Sequence, residues 1–318
     1  MKIALVQLGR IGDMILMTSG IRSIKNTYPN AEIYFIASKS NCFIVENNPN
    51  IKQVLVLEKS PLGIIKFLWQ LRKIKFDYYI DPKDHFSNES QYIAKLARAK
   101  HKIGLNKGKH SAFNKEVSDD KENFNLHFVE RVNNALKFAN IVENNDKIAP
   151  EIYIEKNSND IVDKFLEKHN LKEFTLINIA ASHINKMWET EKWIEFINKT
   201  KNQENYVLIA EKTFPHLISE VIDKTGISLF PASSFNIISA LISKSKLLIT
   251  PDTSLVHVAA AFDTPVIALT CNVEWSVIKF YPLSTINKVI LPQKKYGRLD
   301  LIAVTELLNS YEDIKKNI

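Results

Sequence analysis

The sequence predicts an α/β protein made of two successive doubly wound, Rossmann-like domains, each with its own parallel sheet. Three observations predict it. Short β-rich apolar runs alternate with longer amphipathic stretches, the pattern of strands joined by helical crossovers. The alternation stops in a polar, asparagine-rich region and then restarts. The chain has 318 residues, 45% of them hydrophobic and 24% charged, which suffices for two cores of ordinary size.

In the first half, 3–7 reads as a strand and 13–27 as a helix, and the turn Tyr28-Pro29-Asn30 leads to a strand at 33–37. A strand at 54–57 precedes a helix over 61–73, a strand at 78–81 precedes a helix over 88–99, and 103–105 is a short fifth strand. The Lys- and Asn-rich region 106–125 lacks periodicity and is expected to be a mobile surface loop, followed by a helix over 129–138. The segment 140–156, with Asn144-Asn145-Asp146 and Pro150, reads as the interdomain connection. The second half places strands at 175–179, 206–209, 228–230, 247–250 and 266–269. Helices are expected over 190–200, 215–224, 236–243, 254–262 and 303–315. The expected domains are 1–150 and 151–318, with the last helix free to pack back on the first. In such folds ligands sit beyond the carboxyl ends of the strands, so the site is expected in the cleft between the domains.

Composition narrows the class. The two cysteines, Cys42 and Cys271, form neither a disulfide framework nor a metal-ligand cluster and fit a reducing cytoplasm. Arg10 and Asp13 interrupt the first apolar stretch and no small-residue cleavage site follows, so no secretory leader is expected. No apolar run approaches the roughly 18 residues of a membrane span. The net charge of +7 fits either a Lys-rich, Asn-rich composition or attraction to an anionic partner. The cluster Lys100-His101-Lys102 to Lys107-Gly108-Lys109-His110 lacks interleaved aromatics, which disfavours nucleic acid.

The most informative segment is 246–262, a strand, a tight turn and a helix. Asp252 is a good helix N-cap by residue type. The N–H groups of Thr253, Ser254 and Leu255 are first-turn donors that suit a diphosphate. His257 lies one turn on from Thr253. The residues alone leave open that Asp252 merely caps the helix and that His257 is a core histidine. The second segment is Leu8-Gly9-Arg10-Ile11-Gly12-Asp13, between the first strand and the first helix. Gly9 and Gly12 allow close backbone approach to a ligand. The pattern matches neither the dinucleotide fingerprint nor a P-loop. A carboxylate here suits a general base better than a phosphate ligand, and Asp13 as an N-cap stays open.

These segments resemble glycosyltransferase family 9, the ADP-heptose:lipopolysaccharide heptosyltransferases and their relatives. Gly12-Asp13, Thr18 and Tyr28-Pro29-Asn30-Ala31 resemble the family's opening. Phe76-Asp77-Tyr78-Tyr79-Ile80-Asp81 and Lys102-Ile103-Gly104 match two later segments, and Lys186-Met187-Trp188 with Trp193 resembles its Lys-x-Trp-Pro…Trp. Asp252-Thr253-Ser254 through His257 to Leu269 matches its strongest signature. The resemblance implies a GT-B fold and an inverting, metal-independent transfer with no cofactor. The donor it implies is a nucleotide sugar, ADP-heptose foremost. It implies that Asp13 is the general base and that Lys186 neutralises the diphosphate leaving group. It further implies that Thr253 and Ser254 hold phosphate oxygens, Asp252 contacts sugar hydroxyls and His257 supports that loop. Ser182 and Leu255 are counted with this donor site. An anionic glycolipid or oligosaccharide acceptor would meet Lys102, Lys107, Lys109 and Arg131, at the cytoplasmic face of the inner membrane. Three positions depart from the family. Glu189 replaces the proline after the Trp, Thr18-Ser19 stands for Thr-Pro, and Ala210-Glu211 replaces glycines, leaving Glu211 as the ribose reader. The alternatives are transfer or epimerisation of another nucleotide sugar, such as an N-acetylhexosamine, or non-catalytic sugar-nucleotide binding. The oligomeric state is not predicted.

Overall fold

The computed structural model describes residues 1–83, 85–116, 125–142, 149–181, 183–209 and 215–318. The chain forms two compact units, Met1–Tyr153 and Ile154–Ile318. The segment that leaves the first unit is tied to it. The Glu151 N–H donates to Thr18 Oγ1 at 2.8 Å, Asn48 Nδ2 donates to Glu151 Oε1 at 2.6 Å, and Asn50 Nδ2 donates to the Tyr153 hydroxyl at 3.0 Å.

The first unit is a parallel sheet of β1 (Lys2–Gln7), β2 (Glu32–Ser38), β3 (Ile51–Leu57), β4 (Lys75–Ile80), β5 (Arg98–Gly104) and β6 (Lys115–Glu116). Its order is β3-β2-β1-β4-β5-β6. The helices are α1 (Ile11–Met17), α2 (Ser19–Thr27), α3 (Pro61–Lys73), α4 (Asn88–Leu96) and α5 (Phe128–Phe138). The single helix expected over 13–27 is therefore two. The break falls at Thr18, whose hydroxyl donates to Ile15 O while accepting the Glu151 N–H. Strands β3 and β5 begin earlier than expected because polar residues such as Lys52, Gln53, Lys100 and Lys102 lie on them and mask the apolar signal.

Of the expected loop 106–125, residues 106–116 and 125 are described and 117–124 lie outside the described residues. Lys107 and His110 form an antiparallel bridge, with Gly108 at a φ of 58° in the left-handed region that glycine tolerates. Asn106 and Phe113 exchange two hydrogen bonds, and Gln91 holds both Leu105 O and the Ala112 N–H. These satisfied amides, with Ala112 and Phe113 buried beneath, replace the apolar periodicity that the segment lacks.

The second unit contains β7 (Thr175–Asn178), β8 (Tyr206–Ile209), β9 (Ser228–Leu229), β10 (Leu247–Pro251), β11 (Val266–Leu269) and β12 (Asn287–Ile290), all paired in parallel. The order is β12-β11-β10-β7-β8-β9. Its helices are α6 (Lys156–Lys168), α7 (Thr190–Thr200), α8 (Pro215–Thr225), α9 (Phe235–Lys244), α10 (Leu255–Phe262), α11 (Glu274–Phe280) and α12 (Val304–Lys315). Helices α6 and α11 and strand β12 are additions to the expected elements: α6 sets Ile161, Val162, Phe165 and Leu166 at helical spacing within an otherwise polar segment, and α11 and β12 are short. The last helix buries Leu307, Tyr311 and Ile314 in the second unit's own core, beside Trp193 and Phe196.

Both sheets have one topology. Numbered within each unit, the strands run 3-2-1-4-5-6, and the chain direction of winding reverses between strands 1 and 4. Those switch points, β1/β4 and β7/β10, are where open α/β sheets form ligand crevices beyond the strand ends.

Candidate functional site

At the β1/β4 switch point of the first unit, the chain turns from Gln7 into α1. Arg10 occupies the N-cap position and Asp13 is the third helical residue, so Asp13 is not the cap. The turn is braced rather than loose. Gln7 Oε1 accepts the Gly9 N–H at 2.7 Å, and the buried Asn41 donates from Nδ2 to both Gln7 O and Gly9 O, at 3.2 and 3.0 Å. A Cβ at Gly9 would come 2.8 Å from Gln7 Oε1 and 3.2 Å from Asp13 Oδ2. Gly9 thus lets the backbone lie against the Asp13 carboxylate. Gly12 precedes Asp13 inside α1.

The neighbouring β4 end supplies residues that the sequence reading did not single out. Asp81 is buried, accepts from Ser90 Oγ and from the Lys83 N–H, and has its carboxyl pKa raised by burial. His85 follows. Burial holds its imidazole below the usual value, the Lys83 cation adds to that, and the Asp81 and Asp13 carboxylates oppose it. Arg131, buried on α5, also acts on His85. Asp13, His85 and Arg131 therefore share one electrostatic neighbourhood. The Phe86 and His110 rings meet at 5.0 Å, which brings the exposed Lys107–Lys109 turn up to the loop carrying Lys83 and His85. Lys102 is different. Its ammonium donates to Ala94 O at 2.6 Å near the end of α4, and burial lowers its pKa. That ammonium is committed to the helix end, not offered to a ligand.

At the β7/β10 switch point of the second unit, Lys186 closes a short 3₁₀ turn, Ile184–Lys186. The turn is anchored by Trp188, which is buried, donates from Nε1 to Ile302 O at 3.0 Å and packs edge-on against Trp193 at 4.9 Å. Glu189, at the N-cap position of α7, pairs with Lys192 at 2.8 Å. The negative charge at the family's proline position is thus neutralised locally.

Lys186 Nζ meets Asp252 Oδ2 at 2.5 Å. Asp252 lies in the turn after β10 and is not the cap of α10. Ser254 holds the N-cap position in a helical conformation. The capping hydroxyl is that of Thr253, which accepts the Leu255 N–H at 3.3 Å and lies 3.1 Å from the Thr250 hydroxyl. Asn178 at the end of β7 donates to Thr250 Oγ1 at 3.0 Å, linking the two strand ends. One of the three donors expected in the first turn, Leu255, is therefore already engaged. The Thr253 and Ser254 N–H groups have no acceptor among the described residues. His257 is buried, its N–H donating to Ser254 O at 3.0 Å and its ring 6.1 Å from that of Phe280. A pocket lined by Asp252, Val256, Thr270, Phe280, Tyr281 and Pro282 opens beside the turn. Ser182 and Glu211 lie outside the described residues. Among the described residues, no group of three or more His, Cys, Asp or Glu side chains is arranged to hold a metal ion.

The model of glycosyltransferase family 9 (heptosyltransferase) matches residues 64–295. The lipopolysaccharide core heptosyltransferase OpsX of Haemophilus influenzae is 23% identical over 316 residues, covering 93% of this chain and 87% of its own. The crystal structure of a family 9 glycosyltransferase from Veillonella parvula superposes with a TM-score of 0.86 at 18% identity, over 100% of this chain and 97% of that one. The E. coli heptosyltransferase WaaC with ADP-2-deoxy-2-fluoro heptose superposes with a TM-score of 0.77 at 16% identity, over 98% and 99% of the two chains. The likeness in fold runs through both sheets, and the family match spans the Lys186 turn and the whole Asp252–Leu269 segment, so the chain belongs to glycosyltransferase family 9, the heptosyltransferase family, and is a glycosyltransferase of GT-B fold.

Proposed function

We propose that the protein is an inverting glycosyltransferase that moves a heptose from ADP-heptose onto an anionic glycolipid of the lipopolysaccharide-core type, with no resident metal or cofactor. The observation that carries this reading is the Lys186–Asp252 pair beside the open N–H groups of Thr253 and Ser254. A cation and helix-end donors suit a diphosphate, and a carboxylate at the same point suits sugar hydroxyls. Ser182 and Glu211 complete the donor site, Glu211 at the ribose. His257 supports the turn. Val256, Phe280 and Pro282, beside Asp252, offer the donor an apolar flank. The fold likeness to an enzyme solved with an ADP-heptose analogue and the family match favour this donor over an N-acetylhexosamine.

In the reaction, Asp13 takes the proton of an acceptor hydroxyl as that oxygen attacks the anomeric carbon. The bond to the diphosphate oxygen breaks, and the charge that develops there falls to Lys186 and the α10 start. Lys107, Lys109 and Arg131 meet the acceptor's anionic groups, and Lys83 and His85 join them. The acceptor is reached at the cytoplasmic face of the inner membrane. The test is Asp13→Ala. Transfer should fall by about 10²- to 10⁴-fold, the range for a general base, while the nucleoside diphosphate still raises the melting temperature. Retained turnover would sink the assignment.

A further inference from the structure

We propose that the outward face of α3 seats the protein on an anionic lipid surface. The helix buries Phe67 and Leu71 on its inner side, as a crossover helix must. It also carries a second apolar stripe that faces out. Leu62, Ile65 and Trp69 recur at the three- and four-residue spacing of one helix face and are 81%, 64% and 60% exposed. Lys66 and Lys73 fall on the same stripe, and Lys73 Nζ lies 3.1 Å from the centre of the Trp69 ring.

Charge selects the occupant. From Lys59 to Phe76 the chain has Lys59, Lys66, Arg72, Lys73 and Lys75 and no Asp or Glu. Among the described residues, Lys59 alone of these pairs with a carboxylate, Glu89 at 3.0 Å. Protein–protein interface centres are depleted in lysine. Aliphatic side chains and a tryptophan rimmed by lysines match a helix lying in the boundary layer of an anionic bilayer, with ammonium groups reaching the headgroups. No helix among the described residues is long and apolar enough to cross a membrane, so the contact is at the surface.

Topology gives the contact a use. Because β1, β2 and β3 are parallel, the start of α3, with Leu62 and Ile65, follows the same sheet end from which β1 delivers Asp13. The inference rests on α3 alone and stands or falls apart from the transfer reading.

The experiment is co-sedimentation of the full chain with phosphatidylglycerol/phosphatidylethanolamine vesicles and with phosphatidylcholine vesicles, without donor or acceptor. Binding is expected on the anionic vesicles and to weaken with salt. It should fall about tenfold or more in Leu62→Ser/Ile65→Ser/Trp69→Ser and in the charge-reversed Lys66→Glu/Lys73→Glu. Both variants should keep the melting shift with nucleoside diphosphate, which separates lost binding from lost folding; should the triple variant fail to fold, the charge-reversed one decides. A wild type that stays in the supernatant overturns the proposal. So does equal binding to neutral vesicles, unchanged binding by the charge-reversed variant, or a wild-type dimer in sedimentation that the triple variant dissociates.

Discussion

Lys186 Nζ stands 2.5 Å from Asp252 Oδ2, joining the loop after β7 to the turn after β10. Both side chains are partly exposed, so the pair adds little to stability. Its value is positional. It holds a cation at a strand end where the Thr253 and Ser254 N–H groups have no acceptor among the described residues.

Removing Lys186 alone leaves the Asp252 carboxylate uncompensated beside the proposed diphosphate site. Lys186→Ala should therefore weaken nucleoside diphosphate binding more than Lys186→Ala/Asp252→Asn does. Calorimetric titration of the wild type, the two single variants and the double variant gives the coupling, expected at about 1–2 kcal/mol. A double variant that differs from Lys186→Ala by the whole Asp252→Asn effect, whatever its sign, would show the two residues to be independent.

Asn41 holds two carbonyls of the Gly9 turn and lies outside every recognised motif. Asn41→Ala leaves Gln7 O without its side-chain donor in a buried place. The expected cost is about 1–3 kcal/mol of stability, read by urea unfolding. Turnover should fall further than this cost explains, because the turn that presents Asp13 is loosened, while donor affinity stays at its wild-type value. Equal turnover in folded variant and wild type would limit Asn41 to a structural part.

Glu189→Pro tests the family departure. Glu189 has φ −63°, which a proline ring adopts without strain, and it stands at the start of a helix. The change loses one exposed ion pair with Lys192, worth about 0–1 kcal/mol, and restricts the unfolded chain by about 0.4–1 kcal/mol in the other direction. The melting temperature should stay within about 2–4 °C of wild type, the shift that about 1 kcal/mol makes in a unit the size of Ile154–Ile318. A collapse of the fold would mean that the backbone here needs the Glu189 N–H.

Asp81 gives a pH dependence. Burial raises its folded-state pKa above 3.8, so above that pH the native state binds its proton more tightly than the unfolded chain. Its contribution to stability is then lost as pH rises through the raised value. Asp81→Asn carries no such loss. The melting temperature of the variant minus that of the wild type should climb as pH rises from about 4 and then level off. A difference that stays flat or falls with pH rules this out.

The fold was legible where residue type and period agree. Runs such as Ile33–Phe35 and Leu247–Ile249 are apolar on both faces, short and β-rich, the pattern of buried parallel strands. Asp252-Thr253-Ser254 and Gly12-Asp13 were legible as ends of strands opening helices. What escaped depends on partners distant in sequence. Lys102 reads as one of a basic cluster until Ala94 O is seen beneath it. Asn41 is an ordinary turn asparagine until the Gly9 carbonyl lies 3.0 Å away. The N-cap of α10 was misplaced because a Thr hydroxyl one residue later reached the Leu255 N–H, a choice that propensity cannot rank. His85 carries no local motif, and only the adjacency of β1 and β4 sets it near Asp13.

The repeated strand order, with each unit's core drawn from its own residues, has an evolutionary consequence. Under the proposed division of labour, changes in residues 154–318 can retune which sugar is accepted while the sheet that carries Asp13 keeps its packing. Selection then meets two smaller problems in place of one large one. A lineage could then inherit an acceptor preference intact and still explore new donors.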